Sequence, residues 1–348
     1  MRALTVAPGI ANSARVEDVA DPPSSDGAIV VRTLAIGVCG TDREIVCGHF
    51  GWAPPGETRL VIGHESLGIV QEAPPDSGVS AGDFVAGIVR RPDPVPCPSC
   101  AVGEWDMCRN GRYTERGIKE RHGFGSQFFR IEPDFAIKVD ASLGVAGVLV
   151  EPTSVVAKAW DHTERIGQRA RSWQPQTLLV TGAGPVGLLA ALMGAQRSLD
   201  VHVLDHHEHA AKRELVRRLG GTYHVGTLAD VRLKPDVLME CSGAPSVVRD
   251  VLGNTAASGI VCLVGITEPG HGFDVDLGAL NRTMVLDNST VFGTVNANRL
   301  HYDMAGEALQ MADKTWLDAL ITRREPVEHW TRSLQRQPDD IKVIVDFS

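Results

Sequence analysis

The chain has 348 residues, 43% hydrophobic and 22% charged, with a formal net charge of -9. That length supports two separate cores, the balance is ordinary for a globular protein, and the acidic excess without any basic run or aromatic-basic patch argues against a nucleic-acid partner. The segment Met1 to Pro8 lacks an apolar run of signal-peptide length, so we expect a cytoplasmic protein whose seven cysteines stay reduced or hold metal.

Residues 1 to 155 are rich in Gly, Pro and short β-like runs such as 29–34. Two motifs stand out there. Cys39 lies in Gly37-Val38-Cys39-Gly40-Thr41-Asp42, and His64-Glu65 lie in Gly63-His64-Glu65-Ser66-Leu67-Gly68. A thiolate, an imidazole and a carboxylate form the mixed ligand set of a catalytic zinc, which keeps one position open for water or substrate. Taken alone, the two motifs also allow a buried Cys in one strand and a surface His-Glu in another. Thr41 is placed to pass a proton to solvent, and equally to bond its own backbone as a turn hydroxyl.

Next come Cys97-Pro98-Ser99-Cys100 and Cys108, on an irregular loop. Two thiols three apart with a third eight residues on make most of a structural zinc pattern, and sulfur ligands would fix a loop with little core of its own. Asp93 is the best fourth ligand by residue type, since a carboxylate oxygen binds zinc. A thioredoxin-like redox pair is disfavoured because no strand leads into a helix at Cys97. A lobe that has lost its metal stays open. Cys47, Cys241 and Cys262 read as ordinary buried thiols.

From about Ala157 the texture alternates strand and helix: 177–180, 201–204, a helix over 210–219, 236–239 and 259–265. Such alternation implies a doubly wound parallel sheet. After the first of these strands comes Gly182-Ala183-Gly184-Pro185-Val186-Gly187, then an apolar helix, then a strand ending in Asp205. Strand, glycine turn, helix and an acidic residue ~20 positions on are the dinucleotide fingerprint: one glycine turns, one admits the pyrophosphate, one lets helix and strand close, and the helix N-terminus attracts phosphate. The uncharged segment from Ser172 to Gln196 passes a hydropathy window, but the glycines and Pro185 break it, so strand-turn-helix is expected instead of a membrane span. The last residues, from about Phe292 to a strand over 341–347, are expected to return to the first domain, placing a catalytic cleft between the two. The expected domains are 1–155 with 293–348, and 156–292.

Over essentially its whole length the chain resembles the zinc-dependent medium-chain dehydrogenase/reductase superfamily, and within it the archaeal-type glucose 1-dehydrogenases. The closer resemblance rests on the Cys39 and His64-Glu65 motifs, Arg90-Arg91, Tyr113 to Ile118, His122-Gly123-Phe124, Glu151-Pro152-Thr153 and Phe292 to Asn296. It implies an α/β protein: a GroES-like, mostly-β catalytic domain plus a Rossmann coenzyme domain. It implies oxidation of an aldose, D-glucose or a close epimer, at C1 to the aldonolactone with hydride transfer to NAD or NADP, by a homodimer or homotetramer. Catalytic zinc would be bound through Cys39, His64, Glu65 and Glu151, and the sugar through Thr41, Glu115, Glu151 and Asn296. The cofactor would meet Gly182, Gly184, Pro185, Val186, Gly187, Asp205, His206, His207, Gly265, Ile266, Thr267, Thr294, Val295, Asn296 and Lys342.

The chain departs from the family at Asp93, where a cysteine is usual, and at Asp205-His206-His207, where NADP-preferring members carry arginines. A carboxylate ending the second strand bonds the ribose hydroxyls of NAD and repels a 2′-phosphate, so NAD is favoured. Other readings are a zinc-dependent polyol, alcohol or cyclitol dehydrogenase and, more remotely, a non-catalytic dinucleotide-binding protein, which would have no use for an open zinc.

Overall fold

The structure is a computed structural model that describes every residue except 268, 269, 271 and 273. The chain divides into two compact units, Met1–Ser154 with Asn296–Ser348, and Val155–Val295.

The first unit is built on a seven-stranded sheet whose long central strand is Ile29–Val38. Its burial alternates with period two as far as Ala35 and then becomes continuous, as expected of a strand that is covered on both faces at one end. Three strands pair antiparallel with it: Glu65–Glu72, Phe128–Ile131 and Lys342–Asp346. The C-terminal return is thus a strand inserted into this sheet, itself paired in parallel with Ile321–Pro326. Strand register brings three distant residues together. Gly37 lies opposite Glu65, and Val38 opposite Val343, so Cys39, Glu65 and Lys342 gather at one end of three adjacent strands. Gly37 is required because a Cβ there would overlap the Glu65 carboxylate. Beneath lies a core including Leu4, Ile36, Ile62, Phe124, Phe129 and Trp330; each such side chain, fully buried, contributes about 1.5–3 kcal/mol.

The second unit is a six-stranded parallel sheet in the spatial order Thr222–Val225, Asp200–Asp205, Thr177–Thr181, Val237–Glu240, Ile260–Leu263, Thr290–Gly293. Strand order reverses between Thr177–Thr181 and Val237–Glu240, the switch point at which doubly wound sheets bind ligands. The inner strands are apolar and buried, as parallel strands covered by helices on both faces must be. The uncharged segment 172–196 resolves into the strand Thr177–Thr181 and the helix Pro185–Gln196, whose residues Gly187–Gly194 are all buried. A different stretch, Ala141–Gly167, is long and apolar enough to cross a membrane, and 72% of its most apolar window is buried inside the fold.

Candidate active site

Cys39 ends the central strand and caps the helix Gly40–Val46. Asp42, one turn in, reaches back so that its Oδ2 accepts the Cys39 backbone N–H at 2.9 Å. Cys39 Sγ lies 3.1 Å from His64 Nε2. A Glu65 carboxylate oxygen joins them, all three ligand atoms lying within 4.8 Å of one another. His64 and Glu65 are buried and Cys39 is half-buried. On its far side, His64 Nδ1 faces Asp42 Oδ1 at 3.4 Å. The two atoms face each other without a formed hydrogen bond, and a proton held on Nδ1 by that charge would leave the Nε2 lone pair directed at the Cys39 side, as when a carboxylate orients a metal-ligating histidine. Sulfur, nitrogen and oxygen donors in this grouping suit zinc.

The surrounding charges are dense. Lys342 pairs with Glu65 and donates from Nζ to the Val38 carbonyl at 3.2 Å. Burial alone would lower the His64 pKa, but Cys39 and Asp42 raise it well above its usual value. Glu151, in the first turn of the helix Val150–Gly167, lies outside the three-donor group. Burial outweighs the opposing pull of His64 and, with a smaller contribution from Glu65, pushes its carboxyl up to about 7.

The residues read as sugar ligands divide. Glu115, on the strand Thr114–Arg116, and Asn296 meet, Asn296 Nδ2 donating to Glu115 Oε1 at 2.8 Å. Asn296 is left-handed with φ 61°, a conformation Asn tolerates, and its Oδ1 accepts the Ala297 N–H at 2.8 Å. Thr41 sits half-buried in the first turn of the helix that Cys39 caps.

In the second unit Gly182 takes φ +90° at the end of Thr177–Thr181, and its N–H donates to the Leu204 carbonyl at 2.8 Å. A Cβ on Gly187 would overlap the Gly182 carbonyl, so helix and turn close only without one. Gly184 and Pro185 open the helix, leaving its first N–H groups to face an anion. Asp205 ends its strand with Oδ1 accepting the His206 N–H at 2.8 Å and Oδ2 paired to Lys212 Nζ at 2.7 Å. His206 and His207 are exposed, their rings edge to face at 4.6 Å. The loop Gly265 to Thr267 is held by Thr267 Oγ1, which donates to the Gly243 carbonyl at 2.8 Å, while Ile266 is exposed. Thr294 N–H donates to the Leu263 carbonyl at 3.0 Å, and the Val295 carbonyl accepts from Lys158 Nζ at 2.9 Å.

Two family models match: the alcohol dehydrogenase GroES-like domain over residues 25–141 and the glucose dehydrogenase C-terminus over residues 144–347. The glucose 1-dehydrogenase of Methanocella arvoryzae is 35% identical over 358 aligned positions, covering 100% of this chain and 99% of the relative. That of Thermoproteus tenax is 35% identical, with 99% of each covered. The Haloferax mediterranei glucose dehydrogenase, solved in complex with NADP, Zn and gluconolactone, superposes with a TM-score of 0.92 at 30% identity over 100% of this chain and 99% of that one. The chain belongs to the glucose 1-dehydrogenase family of zinc-dependent medium-chain dehydrogenases.

In this chain the second cysteine group is assembled as well, with Cys97, Cys100 and Cys108 in ligand reach of one another. Cys97 caps the short helix Pro98–Ala101, and its sulfur accepts backbone N–H groups from Arg109 at 3.3 Å and Cys100 at 3.5 Å. Those bonds bring the Cys97 thiol down to about 6, whereas burial, together with the neighbouring Cys108 and Cys97, pushes Cys100 up to about 11. Three thiols fit a structural zinc. Asp93 adjoins that group through its backbone, which bonds the Cys100 thiol, while its carboxylate accepts from the Val95 N–H and Asn110 Nδ2, both at 2.8 Å, and lies 3.3 Å from Arg112 Nε. Sequence reasoning gave no role to Asp42 or Arg90 and placed Lys342 at the cofactor. For Asp42 a signal existed, because an acidic residue three positions after a helix cap can bond back to it.

Proposed function

We propose that this chain oxidises an aldose, D-glucose first, at C1 to the aldonolactone, with Cys39, His64 and Glu65 as the centre of the reacting site. The observation that carries this reading is the convergence of those three donors in a chain aligned end to end with glucose dehydrogenases. Cys39, His64 and Glu65 would hold a zinc whose positive charge would make the C1 hydroxyl more acidic, and the dinucleotide would take the hydride. Asp42 keeps the His64 tautomer and ring orientation, Lys342 balances the buried Glu65 carboxylate, and Glu151 adds a further buried carboxyl that feels the charges of His64 and Glu65. Thr41 relays the hydroxyl proton, and Glu115, Glu151 and Asn296 bond ring hydroxyls, a recognition mode that rejects analogues lacking one.

NAD is the favoured dinucleotide, because Asp205 ends the second strand of the sheet. Lys212 offsets part of its charge and leaves NADP usable. Replacing Asp205 by Ala should therefore improve kcat/KM with NADP, and a wild-type preference for NADP at pH 7 would contradict the assignment. We also infer a homo-oligomer: the helix Leu277–Asp287 buries none of its residues, with Leu277, Val285 and Leu286 exposed beside the edge strand Thr290–Gly293. Light scattering that returned a single-chain mass would refute that. A cytoplasmic location suits a chain with seven free thiols. The deciding assay runs glucose, galactose, xylose, arabinose and sorbitol with NAD and NADP. Rapid turnover of sorbitol with no aldose oxidation would replace the reading by a polyol dehydrogenase.

A further inference from the structure

Arg90 is buried at 4% exposure, and each of its three guanidinium nitrogens donates a hydrogen bond. Nε and Nη2 fork onto a single oxygen, Glu115 Oε1, at 3.1 and 2.9 Å. Nη1 donates to the Asp106 carbonyl at 3.0 Å, and the guanidinium plane lies 3.7 Å from the Tyr113 ring centroid. Asn296 adds a third donor to the same Glu115 oxygen. Among the described residues, the other oxygen, Oε2, takes part in no hydrogen bond, although Glu115 is itself only 8% exposed. A carboxylate with one oxygen saturated by three donors and the other left open has a single orientation and an acceptor ready for hydroxyl groups.

The far end of Arg90 reaches the cysteine loop. Asp106 belongs to the turn Trp105–Met107, immediately before Cys108, and its Oδ1 accepts Asn298 Nδ2 at 2.9 Å. Asn296 and Asn298 thus tie the start of the C-terminal return to Glu115 and to the turn beside Cys108, and Arg90 connects the two attachment points.

We propose that Arg90 is a positioning residue for sugar recognition: it presents Glu115 Oε2 to ring hydroxyls and anchors that geometry to the cysteine loop through Asp106. The proposal rests on the reading of Glu115 as a sugar ligand. A lysine keeps the charge but cannot fork onto one oxygen while holding the Asp106 carbonyl and stacking on Tyr113, so it should not substitute.

The test compares Arg90→Ala, Arg90→Lys, Glu115→Gln and the Arg90→Ala/Glu115→Gln double variant as zinc-loaded enzymes, varying D-glucose and dinucleotide separately. Removing a contact made equally in the ground and transition states raises KM and spares kcat. The expected result is a glucose KM raised about tenfold or more in both Arg90 variants, with kcat and the dinucleotide KM within about threefold of wild type. The double variant should be no worse than Glu115→Gln alone, because the two residues act as one unit. If the alanine variant does not fold, the lysine variant decides on the same readouts. A wild-type glucose KM in the Arg90 variants beside a raised one in Glu115→Gln would overturn the inference and leave the sugar site standing. Loss of kcat and of both affinities together with thermal stability would overturn it in favour of a purely structural role. An unchanged glucose KM in Glu115→Gln would remove the underlying reading, and the inference with it.

Discussion

The two sulfur-bearing clusters of the first unit differ in how they are built. Cys39, His64 and Glu65 bring three kinds of donor from the ends of two paired strands, and two of the three have a charged partner behind them, Asp42 for His64 and Lys342 for Glu65. Cys97, Cys100 and Cys108 bring one kind of donor from a single loop, supported by backbone N–H groups. Chemistry at a metal needs ligands of graded hardness, a controlled charge balance and an open position, and neighbouring strands must be in register to supply them. Holding a loop needs only sulfur and a short helix cap.

If that contrast is right, substitutions in the two clusters should fail in different ways. Replacing Cys39 by Ser should lower kcat roughly 10³-fold, the scale of losing a group that stabilises transition-state charge, with the circular dichroism spectrum unchanged. Removing the Asp42 carboxylate with Asp42→Ala should cost about 10- to 100-fold in metal affinity or activity, read by zinc titration against a competing chelator. In the other cluster, Cys100→Ser should lower the thermal midpoint and bring bound zinc from two per chain towards one, while kcat stays near wild type. A Cys100→Ser enzyme with normal stability and metal content would mean the loop is held without metal.

The smallest effect expected is remote from both clusters and depends on pH. Glu132 bonds Arg91 Nη2 at 2.8 Å and Arg121 Nη2 at 2.6 Å. Burial alone would raise its pKa, but these guanidinium groups, Arg91 foremost, hold the carboxyl down at about 2 from the usual 4.5. A depressed folded pKa means stability that is complete above pH 4.5 and is lost as pH falls from there to 2. With Glu132 partly exposed, solvent screening reduces this to about 1–3 kcal/mol. Thermal midpoints of wild type and Glu132→Gln should differ at pH 7 and draw together as pH falls from 4.5 to about 2; a gap that persists unchanged would show that the ion pairs do not supply it.

What was legible in the sequence was local. The glycine-flanked Cys39 and His64-Glu65, the cysteine spacing from 97 to 108 and the glycine turn ending in Asp205 are short motifs whose residue types state their chemistry, and the structure groups the donors within each. Partnerships set by tertiary register were not legible. Lys342 reaches the Val38 carbonyl across 304 positions of sequence because the last strand inserts beside Ile29–Val38. Arg90 meets Glu115 because Arg90–Arg91 pairs antiparallel with Thr114–Arg116, a register that strands of two and three residues do not announce. Asp93 lies between the two cases. Residue type made it the best fourth ligand, and its backbone does bond the Cys100 thiol, but the partners of its carboxylate, Val95, Asn110 and Arg112, could not be read from spacing.

Zinc-dependent oxidation of glucose at the Cys39–His64–Glu65 centre can be put to a single measurement: D-glucose oxidation in protein stripped by a chelator and then titrated with zinc, wild type beside Cys39→Ser. Stripped wild type should be inactive and recover as zinc is restored, with lactone as the product, and Cys39→Ser should recover little at any zinc concentration. Near wild-type turnover in the stripped protein, or full recovery in Cys39→Ser, would contradict a zinc centre at these residues.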